Sequence, residues 1–165
     1  MLDLFADQFS QMNYLMSVIN DRPQDSMFCL ERLTDLSYHG YLSLESAHQG
    51  GCCNTTCLPK ASVVHAQKCS NCQLMRYCDT KCQKEAWSNQ QYPHKSICPK
   101  IKSLRERLGP SAWARATTST PDFTFTDFKR VCQRKKIDME ILKEVGTHLA
   151  CLQAFQMIYR DKNSA

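Results

Sequence analysis

Eight of the eleven cysteines (Cys52, Cys53, Cys57, Cys69, Cys72, Cys78, Cys82 and Cys98) fall within 47 residues of a 165-residue chain. A scaffold stapled by disulfides would spread its cysteines along the chain, whereas only Cys29, Cys132 and Cys151 lie elsewhere. The N-terminal "MLDLFADQFSQMNYL" carries acids and no basic region, so it does not read as a secretory signal. In a reducing compartment, clustered cysteines read as metal ligands or redox groups rather than as staples. The expected location is therefore intracellular, nucleus or cytoplasm. No run approaches the roughly 20 apolar residues a membrane span needs.

Spacing divides the cluster into two-toothed clips. Cys69 and Cys72 stand as C-x2-C, the spacing of a tight knuckle that aims two sulfurs at one metal. Cys78 and Cys82 are C-x3-C, one turn apart on one helix face. His94 and Cys98 repeat that step as H-x3-C. Upstream, Cys53 and Cys57 form another C-x3-C, with Cys52 competing for the first position. Four clips make eight ligands, the set for two tetrahedral zinc ions. Spacing leaves two pairings open. The inner clips can close on one metal with the outer clips making the other. Alternatively, first joins third and second joins fourth, so that each zinc ties distant segments and a short stretch folds with little apolar core.

The stretch "KCSNCQLMRYCDTKCQKEAW", with the later "HKSIC", resembles a MYND-type zinc finger. Cys69, Cys72, Tyr77-Cys78, Cys82, Gln83, Trp87, His94 and Cys98 match that family's pattern. The resemblance covers about 46 of the 165 residues. It implies two cross-braced structural zinc ions. Cys53, Cys57, Cys78 and Cys82 would hold the first, and Cys69, Cys72, His94 and Cys98 the second. It further implies a module that docks protein partners through short proline-rich peptides, with Gln83 and Trp87 lining the groove. Two departures stand out. The first clip is C-x3-C rather than C-x2-C, and His94 lies seven residues after Trp87, where the family usually has three or four. Pro93 favours a looped bulge there over an extra helical turn. His65 is expected in a strand or loop. Lys68, Arg76, Lys81 and Lys84 would partly offset thiolate charge, although ordinary solvated side chains are the plainer reading.

The flanks read as helical. Leu2, Phe5, Phe9, Met12, Met16 and Ile19 form a stripe in steps of three and four. A second helix is expected from Asp25 or Ser26, using Phe28, Leu33 and Leu36 and stopping at Gly40. After Cys98, Pro99 suits a first helical turn, Ile101, Leu104 and Leu108 follow, and Gly109-Pro110 end the helix. "SAWARATTSTPD" then reads as a loop with Trp113 as anchor. A short helix is expected to be capped by Thr126. The last helix starts at Asp138, with Ile137 and Leu142 at staple positions and Ile141, Val145, Leu149, Leu152, Phe155 and Tyr159 on one side. His148 on it reads as a partly exposed residue and not a ligand.

The expected fold is mainly α: helical flanks, 1–47 and 111–165, around a metal-stapled finger, 52–98, that runs into helix 99–109 and holds little regular β structure. Seven thiolates and two zinc dications would take the formal charge from +5 to +2. Near-neutrality, with basic clusters on helix faces, argues against a nucleic-acid-binding zinc protein. Closed four-ligand sites argue for structural and not catalytic zinc, hence for no enzyme activity. The rival reading is a fragment or relative of a MYND-containing SET-type lysine methyltransferase. The flanks show neither "NH-x-C" nor a nucleophile–base pair.

Overall fold

A computed structural model describes residues 35–49, 51–57, 66–118, 120 and 122–163. The expected N-terminal stripe and the start of the second helix lie outside these residues, as do Cys29 and His65.

The described elements are helix α1 (Leu36–Gln49), strands β1 (Gln67–Lys68) and β2 (Arg76–Tyr77), then helices α2 (Thr80–Trp87), α3 (His94–Thr117), α4 (Phe125–Arg134) and α5 (Met139–Asn163). The fold is mainly helical, as the sequence predicts. The strands pair antiparallel, Gln67 with Tyr77 and Lys68 with Arg76, and make the only sheet among the described residues. No described helix is long and apolar enough to cross a membrane.

Helix α1 packs mainly on α5. Their closest approach is backbone to backbone. A Cβ added at Gly146 would lie 2.2 Å from the Gly40 Cα, and one at Gly40 would lie 2.5 Å from the Leu142 carbonyl oxygen. Gly40 is therefore not a helix stop. It sits inside α1 because the crossing leaves no room for a side chain. Leu36, expected on the apolar face, is instead the exposed first residue of α1. Leu44, Leu142, Val145 and Leu149 fill the core beside the crossing, all fully buried. The Tyr41 ring packs at 5.0 Å from Phe128, and its hydroxyl donates to the Phe123 carbonyl at 2.9 Å.

Helix α3 begins at His94 and not at Pro99, so Pro99 stands one turn inside it. A break does occur at Gly109, where φ is 77° and ψ 166°. Pro110, however, does not stop the helix. It opens a second helical stretch, where a missing N–H costs nothing and φ is preset. The chain around Trp113 is therefore helical and Trp113 is buried. The predicted loop misread a kink as an end.

Helix α4 is capped by Thr124, not Thr126. The Thr124 hydroxyl accepts from the Asp127 amide while the Asp127 carboxylate accepts from the Thr124 amide, a capping box. Asp138 precedes α5 and its carboxylate accepts from the Glu140 amide at 2.9 Å.

Candidate metal centre

The finger lies between α1 and α3, and two turns build its knuckles. The chain reverses over residues 69–73, and Gln73, the residue after Cys72, has a left-handed φ of 58°. The Gln73 amide donates to the Cys69 carbonyl at 2.9 Å and the Cys69 amide to the Met75 carbonyl at 2.8 Å. This turn aims the sulfurs of Cys69 and Cys72 one way. The second clip is set by Asp79, which caps α2 by accepting from the Cys82 amide at 2.8 Å. Cys82 thus sits in the first turn of α2, close to Cys78.

Two groups of donors result. In the first, the sulfurs of Cys52, Cys57, Cys78 and Cys82 lie within 4.8 Å of one another. In the second, the same holds for Cys69, Cys72, Cys98 and one imidazole nitrogen of His94. The pairing is interleaved: first clip with third, second with fourth. The geometry suits zinc. Tetrahedral bonds of about 2.3 Å to sulfur put sulfurs about 3.8 Å apart, and a sulfur and an imidazole nitrogen about 3.6 Å apart. Cys57 and Cys78 sulfurs are 3.6 Å apart, those of Cys69 and Cys98 3.9 Å, and Cys72 Sγ stands 3.5 Å from His94 Nε2. These contacts are far too long for disulfides, and the described cysteines are free thiols. The donor sets fit two zinc sites.

Electrostatics points the same way. Burial pushes the thiols of Cys57 and Cys72 well up, and neighbouring cysteines add to it. Cys82 and Cys98 are raised for the same first reason. Thiols so packed need a bound cation to ionise together. Amide donors already wait for the thiolates. The Leu74 and Met75 amides act on Cys72, and the side-chain amide of Asn71 donates to Cys98 Sγ at 3.1 Å. Asn54 acts likewise on Cys82 while donating to Glu85 at 2.7 Å. Such outer donors orient ligands and lower the energy of the charged form. Neither asparagine has a spacing signal in the sequence, because each meets a cysteine more than 25 residues away.

Burial holds His94 down at about 4, with His148 the second cause, so its ring is neutral and ligand-competent near neutrality. Its Nδ1 is buried without a partner, as is Nε2 of His148. His148 itself is half-exposed and outside both groups, edge-on to Tyr92 at 6.1 Å. The extra residues before His94 form a looped bulge. Asn89 Oδ1 accepts from the amides of Gln91 and Tyr92, and Pro93 precedes the first residue of α3.

One expected ligand is displaced. Cys53 is outside the first group and Cys52 takes its place. The Cys53 amide donates to the Arg76 carbonyl at 2.7 Å, and the Arg76 amide meets Cys53 Sγ at 3.5 Å. In extended chain neighbouring side chains face opposite ways, so the hydrogen bond of Cys53 to Arg76 turns Cys52 toward Cys57, Cys78 and Cys82. Gln156 of α5 locks that register, its side-chain amide donating to the carbonyls of Cys52 at 2.7 Å and Asn54 at 3.1 Å. The buried Cys53 side chain faces Ala47, Leu149 and Leu152 instead.

Gln83 and Trp87 are one turn apart on α2, so they share a face. Trp87 is 43% exposed, and its ring meets His94 edge-on at 5.4 Å. Structural zinc closes on four protein ligands with no open position for water, and each group supplies four.

A cross-braced pair of four-donor Cys/His groups is the arrangement of a compact zinc finger. Residues 51–98 match the MYND finger family, and this segment is a MYND finger. Human histone-lysine N-methyltransferase SMYD3 is 31% identical over 100 residues, which are 61% of this chain and 20% of the human protein. The mouse (Mus musculus) SMYD3 methyltransferase is 30% identical over the same shares. The chain thus spans about a fifth of the length of these curated relatives. No solved structure matches.

Proposed function

We propose that this chain is a zinc-stapled protein-interaction module which docks short proline-rich peptides on the face of α2 that carries Gln83 and Trp87. Two structural zinc ions hold it. Cys52, Cys57, Cys78 and Cys82 take one, and Cys69, Cys72, His94 and Cys98 take the other.

The observation that carries this reading is the exposure of Trp87 on a helix tied to both metals. Cys82 of α2 belongs to the first group, and the Trp87 ring rests against His94 of the second. An indole so fixed loses little freedom on binding, which suits it to anchor a proline. Proline-rich segments add the advantage of being preformed. Thiolate ligands persist where thiols stay reduced, which supports an intracellular setting, nucleus or cytoplasm.

The test is a fluorescence titration of the zinc-loaded chain with a proline-rich peptide library. Trp87→Ala and Gln83→Ala should each weaken capture by about tenfold with zinc content unchanged. Equal binding by the parent and Trp87→Ala proteins would remove this face from the function.

A second reading has one observation behind it. Similarity to the two methyltransferases runs over 100 residues, more than the finger spans. On that reading the finger serves a lysine methyltransferase as its docking arm. Methyl transfer from S-adenosylmethionine to histone by this chain would favour it, and none at any enzyme concentration would oppose it.

A further inference from the structure

We propose that the groove between the end of α1, the β1 knuckle and the kink of α3 binds an acidic peptide segment through its side-chain carboxylates. This site is separate from the Gln83/Trp87 face and does not depend on it.

The groove encloses about 540 Å³ and is lined by His48, Lys68, Gln73, Arg105, Trp113 and Thr117, with Gly109 and Pro110 at the kink. One of its two cations, Lys68, is placed against elementary preference, beside Arg76, which lies outside the lining. The strand register sets Lys68 directly opposite Arg76, and like charges in that position are destabilising. Lys68 Nζ further lies 2.8 Å from His48 Nε2, so the imidazole accepts and fixes the ammonium over the groove. Among the described residues no carboxylate pairs with Lys68, Arg76 or Arg105. Arg76 Nε is buried with no hydrogen-bond partner, and Arg105 is half-buried with none for its guanidinium. A local conflict left without internal compensation is what a binding site shows before its ligand arrives.

The other polar groups are already satisfied. The hydroxyls of Thr117 and Thr118 donate to carbonyls of their own helix, and Gln73 Nε2 donates to the Ser70 carbonyl. What remains is a set of cation donors beside an apolar wall of Pro110, Trp113 and Ala114. Gly109, with φ at 77°, makes the kink that interrupts the helix beside that wall. Arginine forks suit carboxylates held two-point, while the apolar wall suits the stems between them. A phosphate backbone is a poorer match, because Glu106 stands on the rim and the few cations form no long stripe.

The test is amide and side-chain NMR of the zinc-loaded full chain titrated with hexaglutamate, with hexaglutamine and single-stranded oligothymidine of equal charge as comparisons. Hexaglutamate should shift Gln73, Arg105 and Thr117, and hexaglutamine should not. Lys68→Gln with Arg105→Gln should weaken hexaglutamate binding by about tenfold or more, at unchanged zinc content and with no fall in melting temperature. Gln83→Ala should leave it unchanged, which separates this site from the peptide face above. Three results would overturn the proposal: no shift at the groove, equal binding by the double variant, or tighter binding of the oligothymidine at the same residues.

Discussion

The indole of Trp87 stands edge-on to the imidazole of His94, ring centroids 5.4 Å apart and planes at 86°. The proposed docking residue and a member of the second donor group thus share one van der Waals contact, so on the proposed reading metal loss at that group removes the floor under Trp87. In a Trp113→Phe background, chelation should shift Trp87 emission to longer wavelength as the ring enters water. Unchanged emission after verified removal of zinc would show that the contact does not depend on the metal.

The tandem Cys52-Cys53 offers a sharp stoichiometric prediction. Cys52→Ser should lose one of two zinc ions per chain, and Cys53→Ser should keep both, because only Cys52 joins Cys57, Cys78 and Cys82. Metal analysis by mass spectrometry under native conditions reads this directly. The reverse pattern would mean that the hydrogen bond from Cys53 to Arg76 does not hold in solution.

Gln156 carries the tertiary side of that register. Replacing it with Leu strips the donor from two backbone carbonyls, of Cys52 and Asn54, and each buried acceptor left unmade costs about 1–3 kcal/mol. Urea denaturation should show a loss in that range, with faster zinc transfer from the first site to a chromophoric chelator than from the second. Equal acceleration at both sites would point to general loosening of α5.

The α1–α5 crossing tolerates no methyl. Gly146→Ala should cost about 3 kcal/mol or more, the upper end for overpacking, because the obstacle is the backbone of Gly40 and cannot rotate away. Gly51→Ala meets nothing within 4 Å and serves as the neutral comparison. Thermal melts of the two zinc-loaded variants compare them, and similar midpoints would disprove the tight crossing.

Acid should release zinc through the thiolates. Burial raises Cys57 and Cys72, so metal binding displaces protons and affinity falls as pH falls. His94 behaves oppositely. Its value is depressed to about 4 by burial, below the ordinary value of about 6.5. The neutral ring's contribution to stability is therefore fully present above about pH 6.5 and is lost as pH falls toward 4. Zinc release followed by a chelator dye should run ahead of His94 protonation followed by NMR. Release that tracks the imidazole instead would reverse the order.

Much of this molecule was set by the sequence alone. The Cys69/Cys72, Cys78/Cys82 and His94/Cys98 pairs and the helices after the finger follow from local geometry, in which a pair at close spacing needs no distant partner to be recognised. The mainly helical class and the looped approach to His94 followed in the same way. Tertiary structure decided the rest. Spacing favoured Cys53 over Cys52, and a hydrogen bond from Cys53 to Arg76, with Gln156 more than 100 residues away holding the Cys52 carbonyl, reversed that choice. Gly40 carries the same local signal as a helix stop, yet its role is set by Gly146 across the helix pair. Gly109-Pro110 shows the converse, a real break whose far side is helical again because Trp113 has a core to enter. The cations Lys68 and Arg105, which line one groove, lie on separate segments, so no run of charge announced them. In each case the deciding energy is a contact between residues far apart in sequence, which local propensity does not encode.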